Sequence, residues 1–439
     1  MTTSFKQHLV LLGDIIILYG CLIVTLFLRY GFINTYLWHA HAGPFAILFT
    51  TWIVIFYITG LYNLKNLKNT LELINQVVIS IFIGSILALA FFYLIPYFKI
   101  SPKTNLAIFI IIFTIIELIW RWLFNTWTKK PEKNVLLIGK GDDIEELVHC
   151  IIDNPQMGYD IKLRMEDIQE DAIKNLTHII REHEIDTIIL FEHTHYDDEF
   201  VRKIYQNVLC GVEIIGAMHT YETILQKLPI ANTERLWILT NITKHQRIYD
   251  VIMVPLERLI AFVVFIFFLP LMVFIGILVK LTSRGPIIYS QIRLGKDEHP
   301  FSIYKFRTMS ESAEKNGPQW STKNDTRVTM LGIFLRASHL DELPQLFNIL
   351  GGEISFVGPR PERPEFIKNL KTQIPYYEIR HLVRPGITGW AQINYRYGSS
   401  TEDAYHKLQY DLFYLKHRSL ILDLLIIAKT MKLLFTNAK

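Results

Sequence analysis

Residues 259–281 read LIAFVVFIFFLPLMVFIGILVKL, an apolar stretch whose one charged residue is Lys280. About 20 apolar residues suffice for a helix to cross a hydrocarbon core about 30 Å thick, so length alone permits a span. Pro270 at the centre removes a backbone hydrogen bond and crowds the preceding turn, which predicts a kink or a break there. Charge argues further. Arg235, Lys244, Arg247 and Arg258 precede the stretch, and Lys280, Arg284, Arg293 and Lys296 follow it. Basic flanks favour the cytoplasmic side, so both ends are expected on that side. The stretch therefore reads as a re-entrant hairpin over about 256–281, entering and leaving by one face.

Outward from this hairpin toward the N-terminus, four more apolar runs occur at about 9–28, 44–62, 77–96 and 105–124. Each has the length of a membrane span, and the first is too long for the core of a signal peptide. Residues 1–128 hold 10 charged side chains and the other 311 residues hold 76, about three times the density. That contrast excludes a uniformly soluble enzyme, a disordered chain and a pure channel. With both ends of the four-span unit inside, the inner flanks carry Lys6, Lys65, Lys68, Arg121, Lys129, Lys130 and Lys133. The outer loops carry Arg29, Lys99 and Lys103, so residue 129 onward is expected in the cytoplasm. The formal net charge of +4 gives no reason to expect a nucleic-acid partner, and none is expected. Cys21, Cys150 and Cys210 are scattered, without a C-x-x-C pair, which points to neither a disulfide framework nor a zinc site.

Past the basic linker 129–133, Asn134-Val-Leu-Leu-Ile-Gly139-Lys-Gly141-Asp-Asp-Ile144 reads as strand, glycine turn and helix. Thr187–Phe191 and Val212–Gly216 are further strand candidates. This is the rhythm of a Rossmann-like α/β domain. Gly139 and Gly141 fit the first two places of G-x-G-x-x-G, but Ile144 takes the third, where glycine lets helix and strand pack closely. A scaffold that binds no dinucleotide is favoured over a working site. No tyrosine has lysine four residues later, so the Tyr-x-x-x-Lys base of nucleotide-sugar dehydratases is missing.

From Tyr289 onward, glycine, proline, arginine and aromatic residues interleave. Asp341 and Glu342 are adjacent just ahead of Pro344, which favours the first turn of a helix whose positive end would keep both carboxylates ionised. One such carboxylate can attack phosphorus while its neighbour holds Mg2+. Arg360 stands between Pro359 and Pro361, whose fixed φ angles stiffen the backbone that carries it. Arg384 precedes Pro385-Gly386, and Lys305, Arg307, Arg327 and Arg336 add cations that suit a pyrophosphate donor. Together they describe phosphoryl transfer between a soluble nucleotide and a lipid. Leu420–Phe435 is either an interfacial amphipathic helix or a packed core helix, and Tyr405–Lys416 either a structural helix or a nucleotide contact.

Residues from about 250 to 436 resemble the bacterial sugar transferase family, the monotopic phosphoglycosyl transferases. The resemblance rests on Lys305-Phe-Arg-Thr-Met309, Leu340-Asp-Glu-Leu-Pro-Gln-Leu-Phe-Asn348, Gly352-Glu-Ile-Ser-Phe-Val-Gly-Pro-Arg-Pro-Glu362 and Arg384-Pro-Gly-Ile-Thr-Gly-Trp-Ala-Gln392. The whole arrangement is similar to the undecaprenyl-phosphate hexose phosphotransferases that start exopolysaccharide, O-antigen or capsule synthesis. The resemblance implies that Asp341 attacks the β-phosphate of a UDP-hexose and releases UMP, and that undecaprenyl phosphate then takes the sugar phosphate. It implies that Asp341 and Glu342 hold Mg2+, that Arg360 lies near the phosphates, and that Pro270 breaks the re-entrant helix. Lys305, Arg307, Arg327, Arg336, Arg384 and Asp411 are the other expected substrate-binding residues. A competing reading is a non-catalytic scaffold that senses nucleotide-sugars.

The expected fold is a multidomain α and α/β membrane protein. It comprises a four-helix transmembrane bundle (1–128), a Rossmann-like domain (129–245) and a mainly helical catalytic domain with the re-entrant hairpin (246–439). The expected setting is the bacterial inner membrane, multi-pass, with the catalytic domain on the cytoplasmic face. The expected partners are membrane lipid and a second copy of the chain as a homodimer.

Overall fold

A computed structural model describes residues 3–63, 69–94, 103–128, 133–166, 170–191, 197–230, 242, 246–309, 327–395, 398 and 400–436. Lys65, Lys68, Lys99, Lys129, Lys130, Arg235 and Lys244, used above to orient the chain, lie outside the described residues. The chain forms two compact units, residues 1–220 and 221–439.

In the first unit, the four N-terminal apolar runs are helices α1 (Thr3–Tyr30), α2 (Thr35–Thr59), α3 (Leu71–Leu94) and α4 (Lys103–Thr128). Phe45, Phe49, Trp52, Phe109 and Phe113 form the middle of their shared core. Charged residues survive in such a core only when paired. The Arg121 guanidinium donates to Asp14 at 2.5 Å, Glu117 at 2.7 Å and the Leu61 carbonyl at 3.0 Å, fastening α1 and α4 to the end of α2. Asn34 caps α2 by accepting the Leu37 N–H, and Gly60, at φ 82°, ends it.

The rest of this unit is a parallel sheet flanked by helices. Strands β1 (Lys133–Ile138), β2 (Tyr159–Met165), β3 (Thr187–Leu190) and β4 (Glu213–Gly216) lie in the order β2-β1-β3-β4. Helices α5 (Asp142–Asp153), α6 (Glu170–Glu182) and α7 (Asp198–Leu209) alternate with them, and α8 (Ala217–Leu225) follows β4 with its residues from 221 onward in the second unit. The central strands β1 and β3 carry buried aliphatic runs, as a sheet covered on both faces requires. Strand β2, which the sequence reading did not foresee, is an edge strand with no buried residue and so lacks that signature.

The second unit is organised around helix α9 (Gln246–Thr282), which runs through both Pro255 and Pro270. The helix thus continues through Pro270, where the sequence predicts a kink or a break. A proline costs its helix one hydrogen bond, and in apolar surroundings the remaining ladder is retained. One side of α9 packs inward through Ala261, Met272, Ile275 and Val279, while Phe262, Phe267, Val273, Phe274 and Leu281 stay exposed. With α1–α4 it makes, among the described residues, five helices long and apolar enough to cross a membrane, consistent with a membrane α/β protein.

Two small sheets complete the frame: the antiparallel pair β5 (Ile288–Leu294) and β6 (Pro300–Phe306), and the parallel pair β7 (Ser355–Val357) and β8 (Gly386–Thr388). Helices α10 (Met330–Ala337), α11 (Leu346–Gly351), α12 (Pro364–Gln373), α13 (Trp390–Asn394), α14 (Thr401–His417) and α15 (Leu420–Thr436) pack around them. Leu228, Ile230 and Ile242 share a core with Trp390, Leu408 and Ile426. The described part of 221–245, expected with the middle domain, thus belongs to the second unit. Helix α15 is packed on one face, where Ile426 is buried and the Tyr249 and Tyr414 hydroxyls donate to Asp423. Its other face exposes Ile421, Leu424 and Met431.

Candidate active site

Asp341 and Glu342 lie on a single 3-10 turn, Leu340–Gln345, that runs directly into α11. The turn opens from His339 in the left-handed region, at φ 53°. Such a backbone is costly for a residue with a Cβ and persists only where its surroundings impose it. Asn348, one turn further on, ties this segment to β6. Its amide donates to the Ser302 carbonyl at 2.7 Å and to Glu353 at 2.6 Å, and its oxygen accepts the Tyr304 N–H at 3.1 Å. The acidic turn is thereby fixed opposite Lys305, the next residue along β6. Asn348 was visible in the sequence only as part of a longer motif, because its partners on β6 are 44 and 46 residues away.

Glu342 receives two cations. Lys305 Nζ is 2.6 Å from its Oε1, and an Arg360 Nη is 3.5 Å from the same oxygen. Burial alone would push the Glu342 carboxyl up, but Lys305 and Arg360 outweigh it and hold the group at about 2. Asp341 differs. It is buried, and its carboxylate accepts no hydrogen bond from a described residue. Burial pushes the Asp341 carboxyl above its ordinary range, with Lys305 opposing and Glu342 reinforcing the shift. The helix end that was expected to keep both acids ionised is joined by side-chain cations that act unequally on the two. Glu342 is held by two side-chain cations, and Asp341 is left as the more basic of the pair.

The loop carrying Arg360 interlocks with the one carrying Arg384. Gly358 N–H donates to the Thr388 carbonyl at 2.9 Å and Gly386 N–H to the Pro359 carbonyl at 3.0 Å. A Cβ on Gly386 would come within 2.1 Å of the Gly358 nitrogen, so this approach demands glycine.

The other expected substrate-binding residues divide by what they touch. Arg336 donates to the Thr308 hydroxyl at 2.9 Å, bracing the chain after β6. Arg307 donates to the Ser283 carbonyl at 2.9 Å and hydroxyl at 2.6 Å, just beyond α9. Arg327 stands in the turn before α10. Arg384 is committed elsewhere: its guanidinium is buried against Glu257 of α9 at 2.6 Å and reaches the Ile354 carbonyl at 3.4 Å. Asp411, on α14, is buried and ion-paired with Arg380 at 2.9 Å. For Arg384 and Asp411 the structure gives internal ion pairs where the sequence reading expected substrate contacts.

The acidic pair offers only hard carboxylate oxygens, the donor type that suits Mg2+ held by one or two carboxylates with phosphates and water completing its shell. Among the described residues no group of three or more His, Cys, Asp or Glu side chains forms a metal cage.

In the first unit, the glycine turn after β1 has Gly139 at φ 143° with the buried Ile144 against it. Asp142, Asp143 and Glu145 fill the first turn of α5. Helix N-termini attract phosphate, and three acids there work against it.

Fold and site together define a membrane α/β protein with an acidic pair set among basic residues on interlocked loops. Residues 248–437 match the family model described as bacterial sugar transferase. An Aeromonas hydrophila protein named UDP-N-acetylgalactosamine-undecaprenyl-phosphate N-acetylgalactosaminephosphotransferase is 42% identical over 190 residues, 43% of this chain and 45% of that protein. An undecaprenyl-phosphate glucose phosphotransferase of Komagataeibacter xylinus is 30% identical over 334 residues, 70% of this chain and 60% of its own. An exopolysaccharide production protein of Rhizobium leguminosarum bv. phaseoli is 36% identical over 176 residues, which cover 39% of this chain and 88% of that protein. The chain belongs to the bacterial sugar transferase family. It spans under half the length of the Aeromonas relative.

Proposed function

We propose that this protein transfers a hexose-1-phosphate from a UDP-hexose to undecaprenyl phosphate, the first membrane step in building an exopolysaccharide, O-antigen or capsule. The observation that carries the reading is the contrast within the acidic pair: Glu342 clamped by Lys305 and Arg360, Asp341 beside it and unclamped. In the proposed reaction an Asp341 oxygen attacks the sugar-bearing phosphorus of the UDP-hexose. The diphosphate P–O bond breaks, and UMP leaves with the bridging oxygen. A phosphate oxygen of the lipid then attacks the same phosphorus and the Asp341 carboxylate departs, giving a polyprenyl diphospho-sugar. Arg360 and Lys305 supply the positive potential that a phosphate needs on approach. Mg2+ bound through Asp341 and Glu342 would neutralise charge on the phosphates.

The setting follows from the same reading. α1–α4 form the transmembrane anchor in the inner membrane, and α9 is the re-entrant element, with the catalytic unit on the cytoplasmic face. Support for the re-entrant element comes from its contacts on both sides of Pro270. Ala261 packs with Ile303 and Ile349, and Val279 packs with Phe306 and Leu335. A helix holding the catalytic fold at both ends is poorly placed to carry one end across a bilayer. The names borne by the relatives include both glucose and N-acetylgalactosamine transfer, so the test is a panel. Purified full-length protein with undecaprenyl phosphate and Mg2+ is expected to release UMP from at least one UDP-hexose. No release from any UDP-sugar in the panel would overturn the reading.

A further inference from the structure

The Pro359-Arg360-Pro361-Glu362 loop has every backbone carbonyl occupied. Gly386 N–H donates to the Pro359 carbonyl at 3.0 Å, and Leu294 N–H to the Glu362 carbonyl at 3.1 Å. Arg293 donates to the Pro361 carbonyl at 3.1 Å, and Arg380 to the Arg360 carbonyl at 3.0 Å. The bond to Arg360 itself is the unusual one. Arg380 is buried, with its guanidinium also on the Tyr377 hydroxyl and ion-paired with Asp411, which is itself fully inside the protein. A buried cation with a buried counter-charge is expensive to assemble and strongly destabilising to break, so it holds its geometry tightly. Its bond ends on the peptide group of the residue whose side chain reaches Glu342.

We infer that Arg380, oriented by Asp411, is a positioning residue for the transfer reaction, fixing the backbone of Arg360 so that the Arg360 guanidinium meets Glu342 and the donor phosphates. The inference rests on the proposed reaction. It assigns Asp411 a role through Arg380 rather than a contact with substrate. Lysine in place of Arg380 keeps the charge but lacks the planar fork that serves Tyr377, Asp411 and the carbonyl at once. Misplacing a phosphate-binding side chain by about 1 Å is worth about 10²-fold in rate.

The test is a double-mutant cycle between Arg380→Lys and Arg360→Ala in the full-length protein. It is read as kcat and KM for UMP release and separately as Kd for UDP. Each single change is expected to lower kcat by about 10–100-fold. The double variant is expected to be no worse than Arg360→Ala alone, because Arg380 acts through Arg360. Losses that multiply in full, or wild-type kinetics for Arg380→Lys, would overturn the inference, since a general structural defect lowers activity by the same factor in both backgrounds. If Arg380→Lys fails to fold, Asp411→Glu, which keeps the charges and shifts the pair, runs the same cycle under the same criteria. UDP binding separates the two claims. If wild type binds UDP but releases no UMP, the reaction falls while the cycle in Kd still decides the positioning role. If wild type does not bind UDP, both fall.

Discussion

Around Arg384 the charges close on themselves. One guanidinium meets one carboxylate, Glu257, at 2.6 Å, and both are buried. Around Glu342 they do not close: Lys305 and Arg360 converge on one carboxylate oxygen while the neighbouring Asp341 carboxylate has no described hydrogen-bond donor. Both clusters draw on lysine or arginine with glutamate, and both arginines sit next to a proline. Yet the first binds α9 to the β7–β8 frame, whereas the second leaves positive potential beside a free acid. In a buried closed pair the opposite charges cancel and leave little net positive potential for a phosphate; an open cluster keeps it.

The largest effect that could break this comparison is on stability. Arg384→Met should leave Glu257 buried and unpaired and destabilise the protein by about 3–5 kcal/mol. Thermal unfolding in detergent would read this as a lowered midpoint, and replacing Glu257 by Met as well should recover much of the loss. Activity per folded molecule should change little, and a selective collapse of activity without loss of stability would place Arg384 at the phosphates.

Lys305→Met should act oppositely, lowering UMP release by about 10²-fold. Its pH profile carries a further sign. Burial raises the Asp341 carboxyl and Lys305 pulls it down, so removing Lys305 should move the acid limb of the activity profile to higher pH. An acid limb that stays in place or moves down would remove Asp341 as the titrating group.

The smallest effect sharpens the comparison by touching neither cluster. Ser400 and Asp403 form a reciprocal capping box at the start of α14, the helix that carries Asp411. Ser400→Ala should cost about 1 kcal/mol of stability, again measured by thermal unfolding, with kcat nearly unchanged.

These contrasts also mark what could be read from the chain. The four N-terminal helices, the long helix around Pro270 and the βαβ rhythm were legible because hydropathy and period are local properties. The site was legible as far as Asp341, Glu342, Lys305 and Arg360, which the structure does gather. The destinies of Arg384 and Asp411 were not legible. Glu257 lies 127 residues from Arg384, and no local pattern announces that partnership. Arg380 was overlooked for the same reason, since its value lies in a carbonyl 20 residues back. The short pairs β5–β6 and β7–β8 went unseen because strands of three to seven residues among glycine and proline carry little periodic signal. Pro270 predicts a kink or a break, whereas the helix runs through it, because in apolar surroundings the rest of the hydrogen-bond ladder is kept.

The central claim is that Asp341 takes the sugar phosphate before the lipid does. Full-length protein mixed with the UDP-hexose it uses, in Mg2+ and without undecaprenyl phosphate, tests it by rapid-quench measurement of UMP. A burst approaching one UMP per active protein, absent in Asp341→Asn and followed by turnover only when lipid phosphate is added, is the predicted result. UMP release that requires the lipid from the first turnover, or a full burst from Asp341→Asn, would contradict it.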